Sequence, residues 1–261
     1  MSGFSTAWLA MREPADRRAR DPAMLCAVAD FLSRDETPLV VDLGCGTGAL
    51  QRALAPYLTR PVRFRLVDDE PALLAEAEMR SSVPIELVRA DLTLDLSAIA
   101  GARLVTASAL LDLVSEAWLD RLVAGIAAAK AGFYAPLCYD GRIEWQPTHP
   151  LDDAIHAAFD RHQLSDKGFG PAAGPEAAAS VAARFRGIGH SVSVAESPWQ
   201  LDRADNALIA ELARGIARAA GEIGGLPSAA IEDWLAFRLA HAEEGGLVIG
   251  HKDVLALPVG C

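Results

Sequence analysis

Residues 40–50 read VVDLGCGTGAL, with Gly44, Gly46 and Gly48 on alternate positions immediately after an apolar run. Glycine takes positive φ without steric cost and lets another molecule touch the main chain. The residues after Gly48 read as helix, and a helix begins with unpaired N–H groups and a partial positive charge. A strand, a bare turn and a helix N-terminus in that order suit the first crossover of an α/β sheet. They also suit a ligand that lays an anionic group and a flat body against the turn.

The rest of the first half repeats the pattern. Asp21-Pro22 reads as an N-cap followed by proline at the first helical position, opening a helix to about Arg34. Strands are expected over 38–44, 62–70, 84–91, 102–110 and 131–140, and helices over 49–58 and 71–80. A further helix follows Ser115, with Leu119, Leu122, Val123 and Ile126 on its apolar face. Strands alternating with helices mean crossover units and a mostly parallel sheet covered on both faces. Later, 149–163 reads as helix, 164–174 as a glycine-rich loop, and a helix starts near Pro175. Strand HSVSVAE follows. One amphipathic helix then carries Leu208, Leu212, Ile216 and Ile223, and another carries Ile231, Leu235 and Leu239, before a closing strand over 247–258. The expectation is one domain over 1–261. It has a helical segment over 1–36 and a cofactor-binding core over 37–140. Insertions over 141–189 and 202–243 form a lid or acceptor pocket.

The formal net charge is −11, which disfavours a nucleic-acid partner because phosphate backbones reward basic surfaces. Cys26, Cys45, Cys138 and Cys261 form no CxxC pair and read as reduced thiols. The N-terminus has no signal-peptide core, and no apolar run approaches about 18 residues, so a cytoplasmic protein without a membrane span is expected.

Gly44-x-Gly46-x-x-Ala49 by itself also fits a dinucleotide fingerprint. Its surroundings favour another reading. VVDLGCGTG resembles the hDxGxGxG motif of class I S-adenosylmethionine-dependent methyltransferases. LVDDEPALLAEA, VRADL and LVTASALLDLVSEAWL resemble that family's second, third and fourth strand motifs, in the same order over roughly residues 38–130. The resemblance implies a Rossmann-like three-layer sandwich with a mostly parallel seven-stranded sheet, helical insertions and an antiparallel last strand. It implies S-adenosyl-L-methionine as cofactor, S-adenosyl-L-homocysteine as product, and a small-molecule O or N acceptor.

The resemblance also implies site residues. Asp42, Gly44, Cys45, Gly46 and Gly48 form the turn that receives the methionine end. Asp68, with Asp69 as its rival, receives the ribose hydroxyls, as the acid after the second strand does in nucleotide folds. Asp91 and Leu92 meet the adenine, and Ser108 lies at the carboxyl edge of the sheet. Three acids in a row at 68–70 would repel a phosphate-bearing nucleotide. An N-terminal arginine clamps the methionine carboxylate in some relatives. Arg12, Arg18 and Arg20 are candidates, with Arg18 assigned to the cofactor site, and all three read equally as a solvated basic face.

Methyl transfer from a sulfonium is an in-line displacement that needs alignment and exclusion of water, and a base is optional. Asp112 and His149 are the candidate catalytic groups. His149, Asp153, His156 and Asp160 recur at helical spacing, as a proton relay, a metal site or a solvated face, and no metal is assigned. His162, Lys167 and Phe169 sit on a loop with glycines at 168 and 170, as lids do. Tyr139, Trp145, Phe169 and Trp199 are candidates to line an acceptor pocket. A homodimer is left open. The rival readings are an RNA or protein methyltransferase, an NAD-dependent oxidoreductase, and a non-catalytic S-adenosylmethionine-binding protein. The oxidoreductase would need a Tyr-x-x-x-Lys dyad, and neither Tyr134 nor Tyr139 has a lysine four residues on.

Overall fold

Strand β1 (Leu39–Leu43) is buried at every residue, so both of its faces must be covered. The computed structural model, which describes residues 4–259, shows how. β1 pairs in parallel with β2 (Arg63–Asp68) on one side and β4 (Leu104–Thr106) on the other. β3 (Ile85–Arg89) extends the sheet beyond β2, and β5 (Gly132–Gln146) lies beyond β4, both parallel to their neighbours. β8 (Gly246–Pro258) then runs antiparallel between β5 and β6 (His190–Glu196), giving the order β3-β2-β1-β4-β5-β8-β6.

Period-two alternation sorts side chains to two cores. Leu39, Val41, Leu43, Val67, Val105 and Phe133 pack against α5 (Glu116–Ala129) and α7 (Ala177–Gly187). Val40, Phe64, Leu66, Leu104 and Tyr134 pack against α2 (Pro22–Leu32), α3 (Ala49–Leu54) and α4 (Pro71–Arg80). The sequence signals for helix starts hold. Asp21 caps α2 by accepting the Met24 N–H at 2.8 Å, and Ser115 caps α5 by accepting the Trp118 N–H at 3.3 Å.

Three features differ from the sequence reading. The sheet has an eighth strand, β7 (Trp199–Leu201), which pairs with the first residues of β8. β5 does not end at Asp140: it shifts register twice, between Ala135 and Cys138 and between Tyr139 and Ile143, and continues to Gln146. Residues 141–146, expected as insertion, are therefore strand. The extended β5–β8 ribbon with β7 projects past the sheet and carries a further core, built on α6 (Asp152–Gln163), α8 (Asn206–Ile223) and α9 (Ser228–Ala240). Trp145, Trp199, Ile216 and Trp234 lie in it. Finally, α1 (Thr6–Ala19) docks with few apolar side chains, Trp8, Ala15 and Ala19, and its inward residues include Glu13 and Asp16.

Charge holds α1 in place. Glu13 binds Arg52 at 2.8 Å and Arg80 at 2.6 Å, and Asp16 receives Arg12 at 3.0 Å and the Trp199 indole N–H at 3.1 Å. A helix held by ions from α3 and α4 has no hydrophobic period to read. Among the described residues no helix is long and apolar enough to cross a membrane. Cys26, Cys45 and Cys138 are free thiols, and Cys261 lies outside the described residues.

Candidate functional site

The glycine turn is left-handed at every glycine: φ is 64° at Gly44, 53° at Gly46 and 76° at Gly48. A Cβ on Gly46 would lie 3.0 Å from Leu9 Cδ1 of α1, so the turn is both strained for L side chains and covered from above. Gly46→Val is expected to weaken ligand binding at this turn by about tenfold or more, since β-branched residues strongly resist positive φ. Titration calorimetry measures it, and unchanged affinity would mean that the turn does not touch the ligand.

A cleft of about 230 Å³ opens over this turn at the carboxyl edge of the sheet. Its floor is Asp42, the glycine turn with Cys45 and Thr47, and Ser108 to Leu110. One end carries Asp68, Asp69, Glu70, Asp91 and Leu92, and α1 supplies Leu9, Arg12, Asp16 and Arg20 as a roof. Open α/β sheets bind ligands at this edge, beside the strand where chain order reverses.

Asp42 is 2% exposed. Its Oδ1 accepts from Thr106 Oγ1 at 2.7 Å, and its Oδ2 has no partner. Burial pushes its pKa up to about 7, against the Thr106 hydrogen bond and the positive Arg20. Arg20 is 3% exposed, donates from Nη2 to Ser108 Oγ at 2.8 Å, and has an unpartnered Nε. One acid and one base thus line the cleft deeply buried, each with an atom left open. Unmet buried polar atoms are costly, so a pair of opposite sign in one cleft points to a ligand bearing both charges.

Asp68 is buried and accepts the Gly46 N–H at 2.9 Å and the Glu70 N–H at 3.1 Å. Burial raises its pKa against those two bonds. Each of its oxygens keeps a lone pair, since a carboxylate offers about four acceptor sites. The neighbouring Asp69 lines the same end with an exposed side chain. Asp91 is exposed, and the hydroxyl and N–H of Thr93 hold its pKa down. The Leu92 carbonyl accepts the Trp118 indole at 2.7 Å, which fixes the side chain at the cleft wall.

The structure separates the remaining candidates. Arg18 lies outside the cleft, bound to Asp205 at 2.7 Å, and Arg12 and Arg20 reach it instead. Arg20 caps the end of α1 and its buried side chain reaches Ser108, while the Arg18 side chain is exposed. Asp112 flanks the cleft without lining it. Its neighbours Leu110 and Leu113 face the cleft, and its carboxyl is buried and takes N–H bonds from its own and the Tyr139 backbone. Burial still lifts its pKa to about 6. His149 is also away from the cleft. It precedes α6, accepts the Leu151 N–H at 3.2 Å and packs tilted against the Phe237 ring of α9 at 4.8 Å.

The expected line of His149, Asp153, His156 and Asp160 does not form one face. His156 and Asp160 meet at the Tyr139 hydroxyl, at 3.3 and 3.0 Å, while Asp153 is exposed. Among the described residues no group of three or more His, Cys, Asp or Glu side chains is arranged to hold a metal. Of the four aromatic candidates only Phe169 lines the cleft; Tyr139, Trp145 and Trp199 belong to the core of the projecting ribbon. Lys167 and Phe169 reach the cleft from the loop after α6. That loop is pinned: the Asp166 carboxylate accepts the N–H groups of Gly168 and Gly170, and Phe169 sits edge-on to Trp118 at 5.7 Å.

A parallel sheet with one antiparallel strand, a glycine turn after β1 and acids after β2 and β3 define the class I methyltransferase fold. The sequence matches no family model and no curated relative. Solved structures do resemble the fold. A SAM-dependent methyltransferase from Geobacter sulfurreducens in complex with S-adenosyl-L-homocysteine is 13% identical, with 99% of this chain and 100% of that one covered at a TM-score of 0.51. A putative type II methyltransferase from Anaeromyxobacter dehalogenans is 18% identical over 92% and 99%, at a TM-score of 0.52. The cyclopropane synthase MmaA2 from Mycobacterium tuberculosis is 13% identical over 97% and 94%, at a TM-score of 0.51.

Proposed function

We propose that the protein is an S-adenosylmethionine-dependent methyltransferase acting on a small molecule. The observation that carries this reading is the pair of buried, half-satisfied charges, Asp42 and Arg20, across a glycine turn in one cleft. S-adenosylmethionine has an amino-acid end of both charges, which this pair fits, and when bound it supplies a methyl group on positive sulfur.

Arg20 and the turn amides would hold the carboxylate, and Asp42 the ammonium. Asp68 or Asp69 would receive the ribose hydroxyls, and Asp91 and Leu92 the adenine. Four acids at 42 and 68–70 on the cleft oppose a pyrophosphate, which weighs against NAD. The chain's own contribution to the reaction is alignment under the roof of α1 and exclusion of water. The small volume of the cleft, about 230 Å³, and the net charge of −11 favour a small acceptor over RNA. A non-catalytic binding protein would share the cofactor contacts and differ only in turnover.

Titration calorimetry with S-adenosylmethionine, S-adenosylhomocysteine and NAD tests the reading. The first two are expected to bind and NAD not to. Asp42 adds a pH signature. Its raised pKa means that folding disfavours its ionisation, so stability falls as pH rises from about 4 towards 7. A ligand ammonium favours the ionised form, so affinity should rise by up to about tenfold between pH 6 and 8. Asp42→Asn should flatten that rise. Binding of NAD in preference to the sulfonium would overturn the proposal.

A further inference from the structure

The lining of the cleft is mixed in charge. Acids line it at Asp42, at residues 68–70 and at Asp91, whereas α1 and the loop after α6 bring Arg12 and Lys167 to it, together with Leu113 and Phe169. The acid that lines the cleft beside these cations is Asp16, and it is held by Arg12 and the Trp199 indole. Asp112 and Glu222 act on Lys167 from behind the wall, and neither lines the cleft.

The two cations, by contrast, have capacity to spare. Arg12 is 12% exposed in its side chain and stacks over Trp199 at 4.9 Å. Its Nε and Nη2 serve Asp16, and Nη1 has no hydrogen-bond partner among the described residues. Lys167 Nζ makes its hydrogen bonds to the His162 carbonyl at 2.9 Å, His162 Nδ1 at 3.0 Å and Ser165 Oγ at 3.0 Å. These contacts hold the ammonium at the cleft wall; partial burial weakens its hold on its proton, against the attraction of the Glu222 and Asp112 carboxylates, which are not hydrogen-bonded to it. An ionised oxygen that displaced Ser165 or the imidazole would make a hydrogen bond roughly twice as strong as either.

On the reading of the site given above, we infer that the methyl acceptor is an organic acid, its apolar body against Leu110, Leu113 and Phe169 and its ionised oxygen bound by Arg12 and Lys167. An amine would meet two cations as well as the sulfonium, and the acid lining the cleft beside them, Asp16, is already paired. An anion is attracted by all three.

The test is calorimetry on the full-length protein saturated with S-adenosylhomocysteine. The probes are benzoate, 4-hydroxybenzoate and 4-hydroxycinnamate, each against its amide, with tyramine as the amine. At least one carboxylate is expected to bind about tenfold or more tightly than its amide and than tyramine. Lys167→Met should remove about tenfold from the carboxylate and leave the amide unchanged, and Lys167→Arg should keep the preference. Equal affinities, a preference for tyramine, or no carboxylate binding below about 10 mM would overturn the inference. The carboxylate-to-amide ratio of the unaltered protein decides the matter even if Lys167→Met fails to fold. Failure of S-adenosylhomocysteine itself to bind would instead remove the proposed function.

Discussion

Arg20→Met is expected to weaken S-adenosylhomocysteine binding by about 30- to 1000-fold, roughly 2–4 kcal/mol. Two losses combine. The ligand carboxylate loses a charge-assisted donor, and Asp42 loses the buried positive charge that offsets part of its desolvation. The Ser108 hydroxyl also loses its donor, the Arg20 Nη2 group at 2.8 Å. Arg18→Met is the control, because that side chain pairs with Asp205 outside the cleft, and it should change affinity by less than about twofold, as exposed ion pairs do. Calorimetry on the two variants separates them. Equal losses at both positions, or a larger loss at Arg18, would contradict the role given to Arg20.

Asp253→Ala is expected to destabilise the fold by about 3–5 kcal/mol, lowering the melting temperature by roughly 6–20 °C for a chain of this size. Asp253 has no solvent exposure. Its carboxylate accepts the Tyr134 hydroxyl at 2.8 Å, the Leu137 N–H at 3.0 Å and the Asp21 N–H at 3.2 Å. These three donors come from β5, from the first bulge within it and from the entry to α2. Removing the acceptor leaves all three unpaired. Leu137 is itself left-handed, at φ 62°, so the bulge has little support of its own. Asp253→Asn keeps one acceptor oxygen and should fall between the two. Thermal denaturation checks it, and a shift of under about 2 °C would mean that water replaces the carboxylate.

The glycine turn and the acids beside it were legible as a pattern because those residues act locally. The glycines at 44, 46 and 48 are needed by a turn that spans only those residues, Asp68 is the last residue of β2, and Asp91 comes just after β3. The roof of the cleft was not legible. α1 is placed by Glu13 reaching Arg52 and Arg80, and such pairings between residues far apart in the chain leave no period to read. The same applies to Asp112 and His149. Each has the right chemistry, but the register shifts of β5 and the docking of α6 on α9 turn them away from the cleft.

The sequence by itself determined the alternation of strands and helices, the caps that start α2 and α5, and the turn over which a ligand can lie on bare backbone. Those are properties of contiguous segments, governed by side-chain period and backbone freedom. Only the tertiary structure decided which arginine enters the cleft, which acid supports the β5 bulge, and that β5 and β8 run on to carry a further core. Those outcomes depend on where distant segments meet, and the free energy of burying a charge is set by its neighbours in space.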